Sequence, residues 1–572
     1  MRLLPMLSIA ALVVSTGCTQ NDANVPEHGP PPIAGGTLHV TRDGHWAIAS
    51  DPARAAIHVV DLERGTQTAR IDLGPQDEPG RVGEDLAGGV HVVLRRAGVI
   101  ASIDPASGRV THRTTVCAAP RGIDVDPADG NLVVACAEGQ LVRLTPAGDI
   151  VRRVTLDHDL RDVVAQDGRI YVSRFRSAEV LVVEEDRVVE RVRPAVEGDP
   201  SVGTDVVREP TVAWRMRARE GGGVLLVHQQ SISTQLGSLA FPGAVYYGGD
   251  CLTGVVRSAV TEVRPDLSTT TLALESTSLA VDGVQGASGV VVAAASEPGV
   301  ALDDWSFVQR NGARVVLPST SFSGDCRNTE DAFPALGARP RAATAVDRTP
   351  DGRLVAQYRD PAELVIGDEV IALDGGQVLD FGHALFHEGA GTGVTCASCH
   401  PEGGDDGHVW SFDIGTRRTQ TTAGGILDTA PFHWQGDVPD MTHVMDGTFV
   451  GRMNGTMPRP DEVDAFAQWM DHVPAVPGPT IDAALADRGR AAFAEAGCDT
   501  CHSGARLTNN ENRSVGTGGT FQVPALYEVV YHAPYLHDGR ASTLDEVVET
   551  HGGGGALSPD RRADLVAYLR SL

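Results

Sequence analysis

Trp46-Ala-Ile-Ala-Ser50, Val90-His-Val-Val-Leu94, Leu132-Val-Val-Ala-Cys136 and Ile170-Tyr-Val-Ser-Arg174 are one phrase written four times, beginning 44, 42 and 38 residues apart. Each is a short β-branched or apolar run closed by Asp- and Gly-rich turns, the pattern of a buried strand. A second run follows each at a matching offset: Ile57-His-Val-Val-Asp61, Val99-Ile-Ala-Ser-Ile-Asp104, Leu141-Val-Arg-Leu-Thr145 and Val180-Leu-Val-Val-Glu184. A period of about 40 to 45 residues with about four strands per unit marks a β-propeller blade, whose faces only its neighbours can cover.

Working outward, Val224-Leu-Leu-Val-His228, Val290-Val-Val-Ala-Ala294 and Leu354-Val-Ala-Gln-Tyr358 keep the first-strand look, which predicts about seven blades over residues 36–375. The rhythm resembles the YVTN-type or lactonase-like seven-bladed propellers, a resemblance that implies a binding or docking platform. His39, His45, His58, His91, His112, His158 and His228 are scattered through these strands without a recurring ligand spacing, so they read as packed or surface histidines. No Schiff-base, triad or phosphate-cradling motif stands out here.

At the N-terminus, Met1-Arg2, the apolar run Leu3 to Val14 and Ser15-Thr16-Gly17-Cys18 form the charged, apolar and small-residue zones of an export signal. The run is too short to span a bilayer as a mature helix. Small residues directly before Cys18 resemble a bacterial lipoprotein cleavage site, which implies lipidation of Cys18, although Ser15 stands where Leu is usual. Residues 1–18 then form the signal and 19–35 a polar, Pro-rich tether. This predicts a location in the periplasm or on the outer cell surface, anchored by lipid.

Lys and Arg number 47 against 75 Asp and Glu, a net charge of −28. Such a surface repels phosphate backbones, which excludes a nucleic-acid role, and favours a cationic protein partner. Of nine cysteines, one belongs to the signal and four to two Cys-x-x-Cys-His motifs. In an exported chain the other four are expected to pair as Cys117–Cys136 and Cys251–Cys326.

Those two motifs, Cys396-Ala-Ser-Cys399-His400 and Cys498-Asp-Thr-Cys501-His502, carry the chemistry. Covalent haem c needs two thiols for its vinyl groups and an adjacent imidazole for the iron. A zinc or redox Cys-x-x-Cys pair could chance to precede one His, but two matching contexts argue against it. Phe381-Gly-His-Ala-Leu-Phe-His387 and Arg488-Gly-Arg-Ala-Ala-Phe-Ala494 precede the motifs as amphipathic helices. A helix over 461–472 and another opened by Ser558-Pro559 close the units. Two all-α cytochrome c domains, 376–475 and 476–572, each with one covalent haem c, are predicted to follow the propeller.

The C-terminal half resembles the bacterial di-haem cytochrome c peroxidase family, including the MauG-like enzymes. Its shared elements are Phe381-Gly-His-Ala-Leu-Phe386, Phe432-His-Trp-Gln-Gly-Asp437, Val515-Gly-Thr517, Phe521-Gln-Val-Pro-Ala-Leu526, Ala533-Pro-Tyr-Leu-His-Asp-Gly539 and Thr543-Leu-Asp-Glu-Val-Val548. The resemblance implies that the first haem faces the substrate, that the second relays electrons, and that Trp434 lies near the haem interface. It also places the distal ligand of the second haem at His551, ahead of a glycine run that frees the backbone. His502 and His551 would then form a bis-histidine site.

At the first haem, peroxide-reducing relatives carry a distal glutamate followed by methionine; here Val450-Gly-Arg-Met453 puts Arg452 in its place. A guanidinium can polarise peroxide but cannot act as a base near neutral pH. Met453, Met457 and His443 each offer a sixth ligand, and His408, His433 and Trp410 are further candidates for that pocket. The sequence therefore predicts an exported di-haem oxidoreductase with electron-transfer and peroxidase or MauG-like activity on peroxide or a protein substrate. The alternative is an electron-transfer cytochrome with both irons six-coordinate.

Overall fold

The computed structural model describes residues 29–198, 206–236, 254–296 apart from 275, 276, 278, 287 and 288, then 305–310, 313–318, 343–390 and 392–572. Cys18, Cys251 and Cys326 lie outside the described residues, so the lipidation site and the second disulfide pairing do too.

The N-terminal part is a β-propeller. Four blades, over 38–72, 79–115, 120–155 and 160–192, are four-stranded antiparallel meanders; a five-stranded one covers 197–274 and another four-stranded one 343–372. Between these last two stands a mixed sheet in which Ala280–Gly286 and Gly289–Ala294 pair with a hairpin from 305–318, one contact being parallel. Six regular blades therefore stand where about seven were expected, with an irregular sheet in the remaining place. Inner strands are largely buried, Pro79–Glu84 along its whole length, whereas outer strands such as Arg109–Thr115 alternate with solvent.

Neighbouring blades are clasped by a repeated carboxylate. Asp124, Asp162, Asp282 and Asp347 each accept from the N–H of the following residue and from an N–H on the next inner strand: Ala165, Met216, Val346 and Val40 respectively. The last bond, at 2.8 Å, joins the final blade to the first and closes the ring. Cys117 and Cys136 form a disulfide that ties the entry of the third blade to its second strand.

The C-terminal region is helical, with α1 (Phe381–His387), α2 (Cys396–Cys399), α3 (Met441–Val444), α4 (Pro460–Asp471), α5 (Ala483–Glu495), α6 (Leu544–Thr550) and α7 (Pro559–Arg570). Two short hairpins, 409–418 and 512–522, interrupt it, so it is not purely α-helical. Among the described residues no helix is long and apolar enough to cross a membrane.

α1 crosses α4, and α5 crosses α7, in the same way. A Cβ on Gly382 would sit 2.4 Å from Trp469 Cβ, and one on Gly489 would sit 2.3 Å from Tyr568 Cβ. Four residues after each glycine a phenylalanine packs on the same aromatic partner, Phe386 on Trp469 and Phe493 on Tyr568. The α1–α4 unit shares one continuous core with the propeller, including Phe175, Trp214 and Val281, while the α5–α7 unit has its own.

The end of the stretch read as a tether is part of that junction. Trp469 donates to Pro30 O, Arg161 to Ala34 O, and Ile33 N to His387 Nε2. Pro30, Pro32 and Ala34 are buried, so residues 29–35 form a packed strap across both parts.

Candidate functional site

Each Cys-x-x-Cys-His motif is a single tight turn at the end of a helical unit. Around the first, Thr395 and Ser398 cap each other reciprocally and hold Cys396 and Cys399 on one short helix. Burial pushes the Cys396 thiol up to about 12 and that of Cys399 well above its usual value.

The histidines are aimed alike. His400 Nδ1 donates to Gly404 O at 3.3 Å and His502 Nδ1 to Leu507 O at 3.1 Å, leaving both Nε2 atoms as ligands. Burial lowers the pKa of His400 and brings that of His502 down to about 4, so both are neutral and able to coordinate at pH 7.

Opposite His502, α6 delivers His551. Thr543 caps that helix, and Gly554 folds back so closely that a Cβ there would meet Val548 O at 2.1 Å. The His502 and His551 ring centroids are 6.3 Å apart. Two coordinate bonds of about 2 Å, plus about 1 Å from ring centre to nitrogen on each side, give about 6 Å, so the pair fits one metal between them. The rings face a partly open cavity lined by Cys498, Cys501, Phe493, Val547, Val548, Leu565 and Leu569. An apolar slot with paired imidazoles and two thiols at its rim suits a haem.

Trp434 forms part of the wall of the same cavity, on the side of the α1–α4 unit. It donates to Arg418 O at 2.7 Å, and its ring lies 6.2 Å from that of His537.

Around the first motif the sequence candidates separate. Met453 is 4% exposed and packs with Met441, Met445 and Phe449. Met457 is 42% exposed, and His443 points to solvent, bonded to Asp440 at 2.7 Å. His408 is taken up by Ile232 O, and Trp410 by Thr419, both at the propeller junction. His433 adopts a left-handed backbone; burial, then the Arg452 cation, lower its pKa against the pull of Asp437, and His400 is close enough to add to the lowering.

A repeat that sequence reading missed relates the two units. Ala430-Pro431-Phe432 and Ala533-Pro534-Tyr535 lead to left-handed His433 and Leu536, to Gly436 and Gly539, and to bridges Phe432–Val438 and Tyr535–Ala541. Asp440 and Thr543 then cap α3 and α6. Carried along this alignment, His551 falls on Thr448, where α3 continues into a wide turn over Met445–Val450 in place of stopping. The Thr448 hydroxyl is buried without a hydrogen-bond partner. The signal was available in the shared turn residues, hidden by the exchange of His433 for Leu536.

A buried carboxylate was also missed. Asp405, with no exposure, accepts from Arg176 of the propeller at 3.1 Å, from Arg418 at 2.6 Å and from His532 of the α5–α7 unit at 2.5 Å. Two residues after His400, Glu402 enters the propeller mouth and pairs with Arg95 and with Arg161, the latter at 2.6 Å. The propeller therefore grips the loop that carries the first motif histidine.

No family model matches the chain. It is 24% identical to methylamine utilization protein MauG of Methylorubrum extorquens over 352 residues, 47% of this chain and 93% of that protein. It is 24% identical to cytochrome c551 peroxidase of Nitrosomonas europaea over 283 residues, 37% of this chain and 83% of that protein. A 67-residue stretch is 37% identical to cytochrome-c peroxidase IdrP1 of Denitromonas iodatirespirans, covering 9% of this chain and only 18% of that relative's length. Among solved structures, hydrazine synthase of Kuenenia stuttgartiensis aligns with 59% of this chain and 97% of its own at 13% identity and TM-score 0.42. The Myceliophteria thermophila Cps50 (Swd1) β-propeller domain aligns with 60% of this chain and 98% of its own at 10% identity and TM-score 0.37. Both structural likenesses are too distant to bear on function. The C-terminal half of this chain is homologous to proteins named MauG and cytochrome c peroxidase, of the di-haem family, and is joined to an N-terminal β-propeller.

Proposed function

We propose that this chain is an exported di-haem c-type oxidoreductase in which the second haem is a bis-histidine relay and the first is the reactive centre. Cys396, Cys399 and His400 would hold one haem, and Cys498, Cys501, His502 and His551 the other. Bound haem supplies one-electron redox chemistry and, where a sixth position is open, reactivity toward peroxide.

The single observation that carries this reading is the asymmetry of the repeat. His551 stands 6.3 Å from His502 in one unit, and Thr448, which offers no strong iron ligand, takes its place in the other. Arg452 and His433 would lie on the open side, where the guanidinium would polarise a peroxide substrate and the neutral imidazole would exchange the proton that the missing glutamate handles in relatives. Trp434 spans the wall between the units and is positioned to couple them.

The mixed sheet at 280–318 completes a seventh blade on this reading. One face of the propeller already seats Glu402, so the opposite face would serve as the docking platform. The net charge of −28 favours a cationic redox partner. Lipidation at Cys18 would keep the protein at a periplasmic or outer-surface membrane.

Met453, buried beside α3, supports a second reading in which the first haem is also six-coordinate and the chain only transfers electrons. Electron paramagnetic resonance of the oxidised holoprotein, with a peroxide-consumption assay, separates the two. One high-spin and one low-spin ferric signal with peroxide turnover is expected; two low-spin signals and inert protein would reject the oxidoreductase reading.

A further inference from the structure

Beside the loop that carries His400 lies a partly open cavity between the propeller mouth and the helical region. Arg95, Arg121 and Arg161 line it, 6%, 8% and 3% exposed. Glu402 pairs with Arg95 and Arg161, and Glu78 lies 3.2 Å from Arg95; Asp159 and Glu528 line the same cavity, as do Arg96 and Arg176. Arg121 pairs with none of these acids. Among the described residues its guanidinium bonds to backbone carbonyls alone, Pro120 O at 3.2 Å and Arg95 O at 3.5 Å. The Nε atoms of Arg95 and Arg161 have no partner.

Glu402 and Glu78 act on Arg121 from a distance without pairing with it; an enclosed guanidinium with no direct ion pair is costly, and an anion placed beside it would offset that cost. Burial and the neighbouring Arg95 cation bring the Arg121 pKa down to about 10, still charged at neutral pH. One side of the wall is of a different kind: Phe175, Val473, Pro474, Val476 and Pro477 are apolar. A pocket with one cationic end and one apolar wall selects a ligand of the same two parts.

We propose that this cavity binds a small organic carboxylate, its anionic head on Arg121 and its apolar body against Phe175 and the Val473–Pro477 segment. The site adjoins the His400 loop and contains none of the residues assigned to haem attachment, so it stands whether or not the first haem is open.

Calorimetric titration of sodium benzoate into full-length holoprotein at low salt tests this, with benzamide as the neutral isostere. One saturable benzoate site is expected, with benzamide at least tenfold weaker. Arg121→Gln should weaken benzoate at least tenfold without altering the visible spectrum, and Arg121→Lys should retain part of the affinity. Absence of saturable binding at millimolar benzoate, equal binding of benzamide, or Arg121→Gln binding as well as the parent would each overturn the assignment. Should Arg121→Gln fail to fold, the benzoate and benzamide comparison on the parent protein decides by itself. Equally tight binding of inorganic phosphate would overturn the role given to the apolar wall.

Discussion

Replacing Glu402 by Gln keeps the side chain's size and removes the charge that Arg95 and Arg161 share across the propeller junction. Breaking a buried ion pair costs about 3–5 kcal/mol because the surviving charge is left uncompensated. The low end, about 3 kcal/mol, applies here because Arg95 keeps Glu78 at 3.2 Å and the Glu402 side chain is 13% exposed. If the helical region melts as a unit, that is about 6–12 °C in its midpoint, read by scanning calorimetry. Burial acts to raise the Glu402 pKa, but Arg161, Arg95 and Arg121 outweigh it and hold the carboxylate well below its usual range. A depressed acid contributes fully above its unfolded pKa and loses that contribution as pH falls. The gap between parent and Glu402→Gln should therefore be constant above about pH 5 and should shrink progressively as pH falls below the ordinary carboxyl value of 4.5. A midpoint within about 1 °C of the parent at pH 7 would refute the idea that the propeller grips this loop through Glu402.

His551→Ala should remove the low-spin signal of the second haem and leave the first unaltered, with added imidazole restoring it; an unchanged optical spectrum would dismiss the ligand. Replacing Cys117 and Cys136 by Ser opens a loop of 19-residue separation and should cost about 3 kcal/mol, seen as a lower urea midpoint. Burial pushes the Asp124 carboxyl up to about 6, so the native state holds a proton that the unfolded chain gives up from its ordinary 3.8 upward. That stability is lost as pH rises through the window from 3.8 to about 6, so Asp124→Asn should cost less at pH 8 than at pH 4; an equal or larger cost at pH 8 contradicts the assignment.

The early blades were legible because their strands are buried on both faces, so each is an unbroken β-branched run between Gly turns. The period fails from residue 197, where a 12-residue strand, Val207–Ala218, lengthens the fifth blade and the next sheet takes a mixed order. Both Cys-x-x-Cys-His motifs were legible because the pattern occupies five consecutive residues. The sixth-ligand candidates of the first site were not, since whether Met453 or Met457 faces inward depends on packing across α3 and α4, which no local pattern encodes. Least visible was the junction. Arg176 and Asp405 lie 229 residues apart and Arg95 and Glu402 lie 307 apart, and arginines in propeller turns otherwise read as solvated charge.

Two haems held through thioether bonds are the premise of the functional account, and the intact mass of protein matured in a haem-attaching host measures this directly. The parent is predicted to carry the added mass of two haem groups under denaturing conditions, the Cys396→Ser/Cys399→Ser variant one, and the Cys498→Ser/Cys501→Ser variant one. A parent of unmodified polypeptide mass, or both variants keeping two haem groups, would contradict the account.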